Sequence, residues 1–206
     1  TEGNNFLEIQ AAYISWGFLL QKAVCDLLDI DTNEIEVGFH VKKKHGEIFL
    51  VERLENGAGY CNHLSGRDGE EIPYKAFIEP FLETSDFYKH KVGHKDRCSS
   101  SCYDCLRDYF NQQHHSILDW RLGLDLAKLS IDQNAEIGFK TEYWSDYFEK
   151  LYTSFKNHKL YSDGIAVIEN RGRKILITHP FWSEFYVNSI LDSINEEIKP
   201  LNIIQV

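Results

Sequence analysis

The sequence predicts an α+β fold: a helical and β-hairpin domain stapled at a cysteine loop, followed by a smaller α/β segment. Three observations carry this. Apolar residues recur at three-and-four spacing in several stretches, β-type runs come in pairs joined by charged or glycine-bearing turns, and Cys98, Cys102 and Cys105 crowd into one short run. With 43% hydrophobic and 14% aromatic residues, the 206-residue chain can fill one large core or two small ones. The pattern places the first domain at 1–130 and the smaller segment at 131–206.

Asn5–Gln10 alternates weakly and predicts a strand. Tyr13, Trp16, Leu20, Ala23, Val24 and Leu27 then recur at helical spacing, which predicts a buried helix with Cys25 beside the stripe as a small core residue. Glu34–Val41 and Glu47–Arg53 alternate as strands around Lys42-Lys43-Lys44-His45-Gly46, a composition suited to a hairpin loop. Gly57-Ala58-Gly59-Tyr60 reads as a strand-to-helix turn, where glycine permits positive φ and a helix N-terminus attracts an anion; packing alone also explains two glycines at this spacing. Pro73 opens an amphipathic helix bearing Phe77, Phe81 and Leu82, with Pro80 expected to bend or break it. Leu118, Leu122, Leu126 and Leu129 mark one face of the next helix, with Arg121 and Asp125 paired on an exposed face.

Beyond Ser130 the pattern restarts. Trp144, Tyr147, Phe148, Leu151 and Phe155 mark a helix, and their spacing makes them core rather than a base-stacking surface. Ile165–Glu169 and Lys174–Thr178 are β-type runs joined at Asn170-Arg171-Gly172, then a helix is expected near Tyr186–Ile198 and a β-type run over Leu201–Val206. Helix, strands, helix and strand is also the element order of a PD-(D/E)xK nuclease. That chemistry needs an acid and an acid-x-lysine set on adjacent strands. Asp163 and Glu169 are present, but the strand that should carry the acid and lysine reads Ile175-Leu176-Ile177-Thr178-His179, which argues against catalysis.

The chemistry lies in Cys98-Ser-Ser-Ser-Cys102-Tyr-Asp-Cys105. Three soft thiolates on one tight loop can converge on Zn²⁺ at about 2.3 Å from each sulfur, and a fourth donor closes the tetrahedron. His115 and His114 are the leading fourth ligands, because Ser116 and Asp119 form a capping pattern that starts a helix beside them; Cys61, His94 and His90 stay in contention. An odd count of five cysteines and no secretory pattern argue against a disulfide framework and for a cytoplasmic setting. No apolar run is long enough for a membrane span, since Ala11–Ile30 is broken by Gln21, Lys22 and Asp26.

The net charge of −10 repels polyanions overall, so any nucleic-acid contact must be local. Lys89, Lys91, Lys95, Arg97 and Arg107, with His90 and His94, supply a candidate phosphate-contacting patch. Asp86, Asp96, Asp104 and Asp108 nearly cancel it, so a solvated mixed-charge loop fits equally well. No Gly-x-x-x-x-Gly-Lys-Ser/Thr loop is present, so this chain is not by itself a P-loop ATPase. It contains no methionine and begins at Thr1, which reads as the excised C-terminal portion of a larger protein.

Three stretches resemble a known family: Leu27-Leu28-Asp29-Ile30-Asp31 with Glu34-Ile35, Gly57-Ala58-Gly59-Tyr60, and Cys98–Leu129. The chain resembles the MrfA-type zinc-binding domain at the C-terminal end of DEAD/DEAH-box helicase-like proteins, including the DrmB subunit of the DISARM phage-defence system. The resemblance covers about residues 6 to 130, and His179-Pro180-Phe181-Trp182 is similar to an element that follows the domain in those proteins. It implies a metal site at Cys98, Cys102 and Cys105. It also implies a non-catalytic accessory role beside a helicase ATPase core, upstream in the same chain or on a separate subunit, with DNA reached through the full protein. Many members carry a fourth cysteine where this chain has Asn111–His115, which favours His115 by position. A protein-interaction scaffold that docks a helicase without touching nucleic acid is the alternative.

Overall fold

The computed structural model describes residues 6–42, 45–55, 57–67, 69–84, 98–153, 157–160, 165–170, 172–194 and 198–202. The fold is α+β, in two compact units: Gln10–Ala135, and Thr1–Ile9 with Glu136–Val206.

Helix α1 (Phe6–Leu28) is 23 residues long and buries almost its whole circumference over residues 11–19. A helix apolar all round belongs inside a domain. The strand expected over Asn5–Gln10 is absent from the described part of that run, where α1 already begins: Ile9, Ala12 and Trp16 continue a helical spacing that outweighs a short alternation. Leu27, expected in the buried stripe, is 42% exposed because it lies in the last turn. There Asp29 adopts φ 53° and the Ile30 N–H donates to Cys25 O at 3.0 Å, the six-to-one closure that satisfies an otherwise orphaned carbonyl. No helix among the described residues is long and apolar enough to cross a membrane.

The hairpin follows. Strands β1 (Ile35–Lys42) and β2 (His45–Glu52) pair antiparallel from Ile35↔Glu52 to Lys42↔His45. His45 and Gly46, expected in the loop, therefore belong to β2, and the connection is the two residues 43–44. The ladder wins because each added pair satisfies backbone groups that a wider loop leaves to water. Gln21 ties α1 to the start of the hairpin, its Nε2 donating to Thr32 O (3.0 Å) and Ile35 O (2.6 Å).

Helices α2 (Tyr60–Leu64) and α3 (Tyr74–Thr84) come next. Pro80 lies inside α3 without ending it; Ile78 and Phe81 are buried on either side, and that burial holds the turn that the missing N–H weakens. Helix α4 (Trp120–Ile131) buries Leu122, Leu124 and Ala127. Arg121 and Asp125, expected on an exposed face, are 3% and 0% exposed. Arg121 is buried with a partner, donating from Nε to Asp119 Oδ1 (3.0 Å) and from Nη2 to Asp119 Oδ2 (2.6 Å). Gly123 marks a close helix crossing: a Cβ there would stand 2.8 Å from Leu19 Cδ1 and 3.1 Å from the Ser15 carbonyl carbon.

In the other unit, α5 (Glu142–Thr153) precedes β3 (Asn157–Leu160), β4 (Ala166–Asn170), β5 (Arg173–Thr178), α6 (Glu184–Ile194) and β6 (Ile198–Asn202). The sheet order is β3-β4-β5-β6, antiparallel except for the parallel β5/β6 pair, which α6 makes possible as the crossover. Ile198, expected to end the last helix, opens β6 instead, where pairing with Lys174 takes over its backbone. Ala166, Val167, Ile168, Leu176 and Ile177 are all buried, so β4 and β5 are covered on both faces. Val167 and Leu176 pack with Ile190, and Phe139 packs its ring 4.5 Å from Phe148 and 5.0 Å from Trp182. The positions on β5 where an acid-x-lysine pair would stand hold Ile175, Leu176 and Ile177; Asp163 and Phe155 lie outside the described residues.

Candidate metal centre

Over residues 98–119 the chain folds into short turns, because serines, aspartates and cysteines offer it side-chain partners rather than a repeating apolar face. Cys98 and Cys105 are buried and Cys102 is half-buried. Their three sulfurs lie within 4.8 Å of one another, and the Cys98 and Cys105 sulfurs are 3.7 Å apart. Bonds of about 2.3 Å in a tetrahedron place sulfurs about 3.8 Å from each other, so the thiol set fits Zn²⁺.

The backbone holds this convergence. The Cys102 N–H donates to Cys105 Sγ at 3.0 Å, while the N–H groups of Cys105 and Arg107 both donate to Cys102 O, at 3.0 and 2.9 Å. Backbone N–H bonds to sulfur favour the thiolate, as a metal requires. In the metal-free fold, burial and then the Cys105 thiol push the Cys102 thiol above its ordinary value. The loop is also anchored to α4, whose Trp120 N–H donates to Ser100 O at 3.0 Å.

The sequence placed a helix start at Ser116. The structure puts the N-cap of α4 at Asp119, whose Oδ1 accepts the Arg121 N–H at 2.9 Å. Asp119 is the better cap because its carboxylate also binds the Arg121 guanidinium, and its own N–H donates to Ser15 Oγ at 2.9 Å. His114 therefore ends a separate 3₁₀ segment, Tyr109–His114, capped by Asp108.

His115 does not join the sulfur trio among the described residues. Its Nε2 faces two acceptors, Asp108 O at 3.0 Å and Asn111 Oδ1 at 2.8 Å, so that nitrogen carries a proton and Nδ1 is the ring nitrogen a metal would use. The Asn111 orientation is fixed, since Oδ1 also accepts the Asp108 N–H (2.8 Å) and Nδ2 donates to Leu106 O (2.8 Å). The His114 ring lies against Phe18 and Phe39, 6.0 and 5.8 Å between centroids, and burial followed by the neighbouring His115 holds its pKa below the usual imidazole value. Cys61 also lies outside the trio: its thiol donates to Leu50 O at 3.5 Å, and burial followed by Glu52 raises its pKa. His90 and His94 lie outside the described residues.

Of the basic residues singled out in sequence, Lys89, Lys91, Lys95 and Arg97 lie outside the described residues. Arg107 folds over the cysteine loop, with Nε donating to Ser101 Oγ at 3.0 Å. Sequence reasoning passed over Glu52. Its carboxylate accepts the N–H groups of Gly59 (3.0 Å) and Cys61 (2.9 Å), so the anion expected at the Gly57–Tyr60 turn is supplied by the chain itself. Gly59 at φ 86° turns the backbone so that both N–H groups reach it. Reading also passed over Tyr103, Tyr109 and Phe110, which are exposed; the available signal was aromatic residues inside a polar, aperiodic loop.

Residues 17–106 match the family model of the MrfA Zn-binding domain. The match runs from within α1 to one residue past Cys105 and so takes in the hairpin and all three clustered cysteines. No curated protein and no solved structure matches the chain.

Proposed function

Starting from a zinc-binding domain over residues 17–106, we propose that this chain is a non-catalytic accessory module of an ATP-dependent DEAD/DEAH-type helicase. It assists DNA engagement, in DNA repair or in anti-phage defence, in the cytoplasm. Its partner is the helicase ATPase core, upstream in the same polypeptide or on a separate subunit. The observation that carries the reading is the convergence of Cys98, Cys102 and Cys105 within the family-matched segment. A fourth protein donor would close the thiolate site, and a closed site supplies folding free energy rather than turnover, since it leaves no position for substrate. Cys98, Cys102 and Cys105, with His115 as fourth donor through Nδ1, would hold the ion. Lys89, Lys91, Lys95, Arg97 and Arg107 supply the positive charge for phosphates.

The test joins metal and DNA. The chain should bind about one zinc, and a short DNA at low salt, with affinity falling as salt rises because phosphate contacts release counterions. Adding it to the helicase core should raise DNA-stimulated ATPase activity, and Cys102→Ser should remove that gain. A fully folded chain without metal, or DNA affinity indifferent to salt, would end the reading.

A second reading, a scaffold that docks a helicase subunit without touching nucleic acid, draws on two observations. The net charge is −10, and Phe49, Val51 and Leu54 are 48%, 55% and 64% exposed on and just after β2. Salt-dependent DNA binding by the chain would count against it.

A further inference from the structure

We infer that Tyr103, Tyr109 and Phe110, with the Arg53 guanidinium, form a stacking platform for single-stranded nucleic acid. The inference rests on the DNA-engagement reading and deepens it, naming the strand form and the residues that meet it.

The rings are 68%, 73% and 57% exposed. Trp16, Trp120, Phe139, Trp144 and Phe148 are buried, and of the other exposed rings Phe49 stands apart on β2 and Phe185 and Tyr186 on α6, so the run 103–110 is where three gather in one loop. Leaving three rings in water within eight residues forfeits apolar burial that the core would otherwise gain.

These rings are also held by built structure. Tyr103 sits between Cys102 and Cys105, whose mutual hydrogen bonds define the loop. Tyr109 and Phe110 open the 3₁₀ segment, where the Phe110 N–H donates to Asp108 Oδ1 at 2.9 Å. Each ring has a neighbour that holds it. Tyr103 meets the His115 ring edge-on at 5.6 Å, and the His115 Nε2–H donates to Asp108 O, one residue before Tyr109. Tyr109 and Phe110 stand perpendicular with centroids 5.5 Å apart. Exposed rings held in place are the element that proteins use to stack unpaired bases without reading sequence.

Positive charge lies where stacking needs it. Arg53 Cζ lies 4.2 Å from the centre of the Phe110 ring, and the buried Arg53 Nε has no hydrogen-bond partner among the described residues. The acids Asp104, Asp108 and Glu36 oppose that charge, Asp108 keeping its own while it accepts the Phe110 N–H. A cavity of about 180 Å³ opens beside Phe110 and Arg53, lined also by Lys22, Asn33 and Gln113. Sites for free small molecules run to roughly 300–1,000 Å³, so this one suits one base or phosphate of a longer strand. Bases inside a duplex show only their edges, so ring stacking of this kind selects the unpaired strand.

The experiment uses the zinc-loaded chain and a fluorescein-labelled oligonucleotide of about 20 bases, single-stranded or annealed to its complement, read by anisotropy at low salt. Zinc content and circular dichroism accompany every variant. The single strand is expected to bind more tightly than the duplex. Tyr103→Ala, Tyr109→Ala and Phe110→Ala should each weaken it about fivefold or more, while Tyr103→Phe and Tyr109→Phe, which keep the rings, stay near the parent. Photo-crosslinking of a bromouracil-substituted strand should label these rings even if an alanine variant folds poorly. Alanine variants that keep zinc and fold but bind as the parent does would overturn the platform alone, and would show that the rings face a protein partner instead. Preference for duplex, or crosslinks that avoid the rings, would overturn it too. Failure of the parent chain to bind either form would overturn the platform and the DNA-engagement reading together.

Discussion

Counting the protons released on zinc uptake tests the centre more sharply than its stoichiometry does. A free thiol titrates near about 8.5, so thiols must give up protons to bind the ion near pH 7. Cys102 holds its proton more firmly, because burial and the Cys105 thiol raise its pKa. Binding as three thiolates therefore releases about three protons, and apparent affinity rises about a thousandfold, roughly 4 kcal/mol, for each unit of pH. The sign is fixed: protons compete with the ion, so affinity is lost as pH falls. The same count identifies the fourth donor. A histidine donor gives up no thiol proton, so a histidine as fourth ligand leaves the thiol count near three. Cys61, whose thiol is raised by burial and Glu52, would bring it near four. Calorimetric zinc titrations in buffers of different ionisation enthalpy give the number directly. Cys105→Ser should lower it to about two and weaken binding, since Cys105 is fully buried among the sulfurs. A release of one proton or none would refute the three-thiolate centre.

Glu52→Ala removes the acceptor for two backbone N–H groups at the start of α2 and should cost about 2 kcal/mol in urea unfolding, with Glu52→Gln, which keeps one acceptor oxygen, falling between. An unchanged midpoint in both would show the turn does not need its carboxylate. Gly123→Ala places a methyl against Leu19 and the Ser15 backbone; overpacking costs about 1–3 kcal/mol, and the gain in helix propensity offsets about 1, so a lower thermal midpoint is expected. Cys25 is buried and its thiol is pushed up to about 11, by burial first and then by Asp26 and Asp31. Because its folded pKa exceeds the unfolded value, that stability is intact below about pH 8.5 and drains away as pH climbs towards 11. Cys25→Ala should flatten the alkaline part of the stability profile, and an equally steep fall in the variant would assign it elsewhere.

Hairpins β1–β2 and β4–β5 were legible because alternating residues flank turn-forming ones, and the convergence of the cysteines because two and three residues between thiols leave little freedom to diverge. What escaped reading depends on distant partners. Arg121 and Asp125 look like a solvated helix pair in sequence, yet the segment around them is buried, and the Asp119 cap that meets Arg121 also reaches Ser15, 104 positions away. The start of α1 was missed because a six-residue alternation is weaker than the helical period running through it. Periodicity marks buried faces and is silent about Tyr103, Tyr109 and Phe110, which repeat nothing.

All three thiols come from a single stretch of eight residues, closed by backbone bonds of its own. Such a chelate spans almost no contour, so denaturing the rest of the molecule scarcely dilutes its donors. What the ion gives the fold is the difference between its affinities for the two states, and burial of Cys98 and Cys105 in the folded one keeps that difference in favour of folding. Zinc can thus load as this stretch leaves the ribosome, ahead of α4.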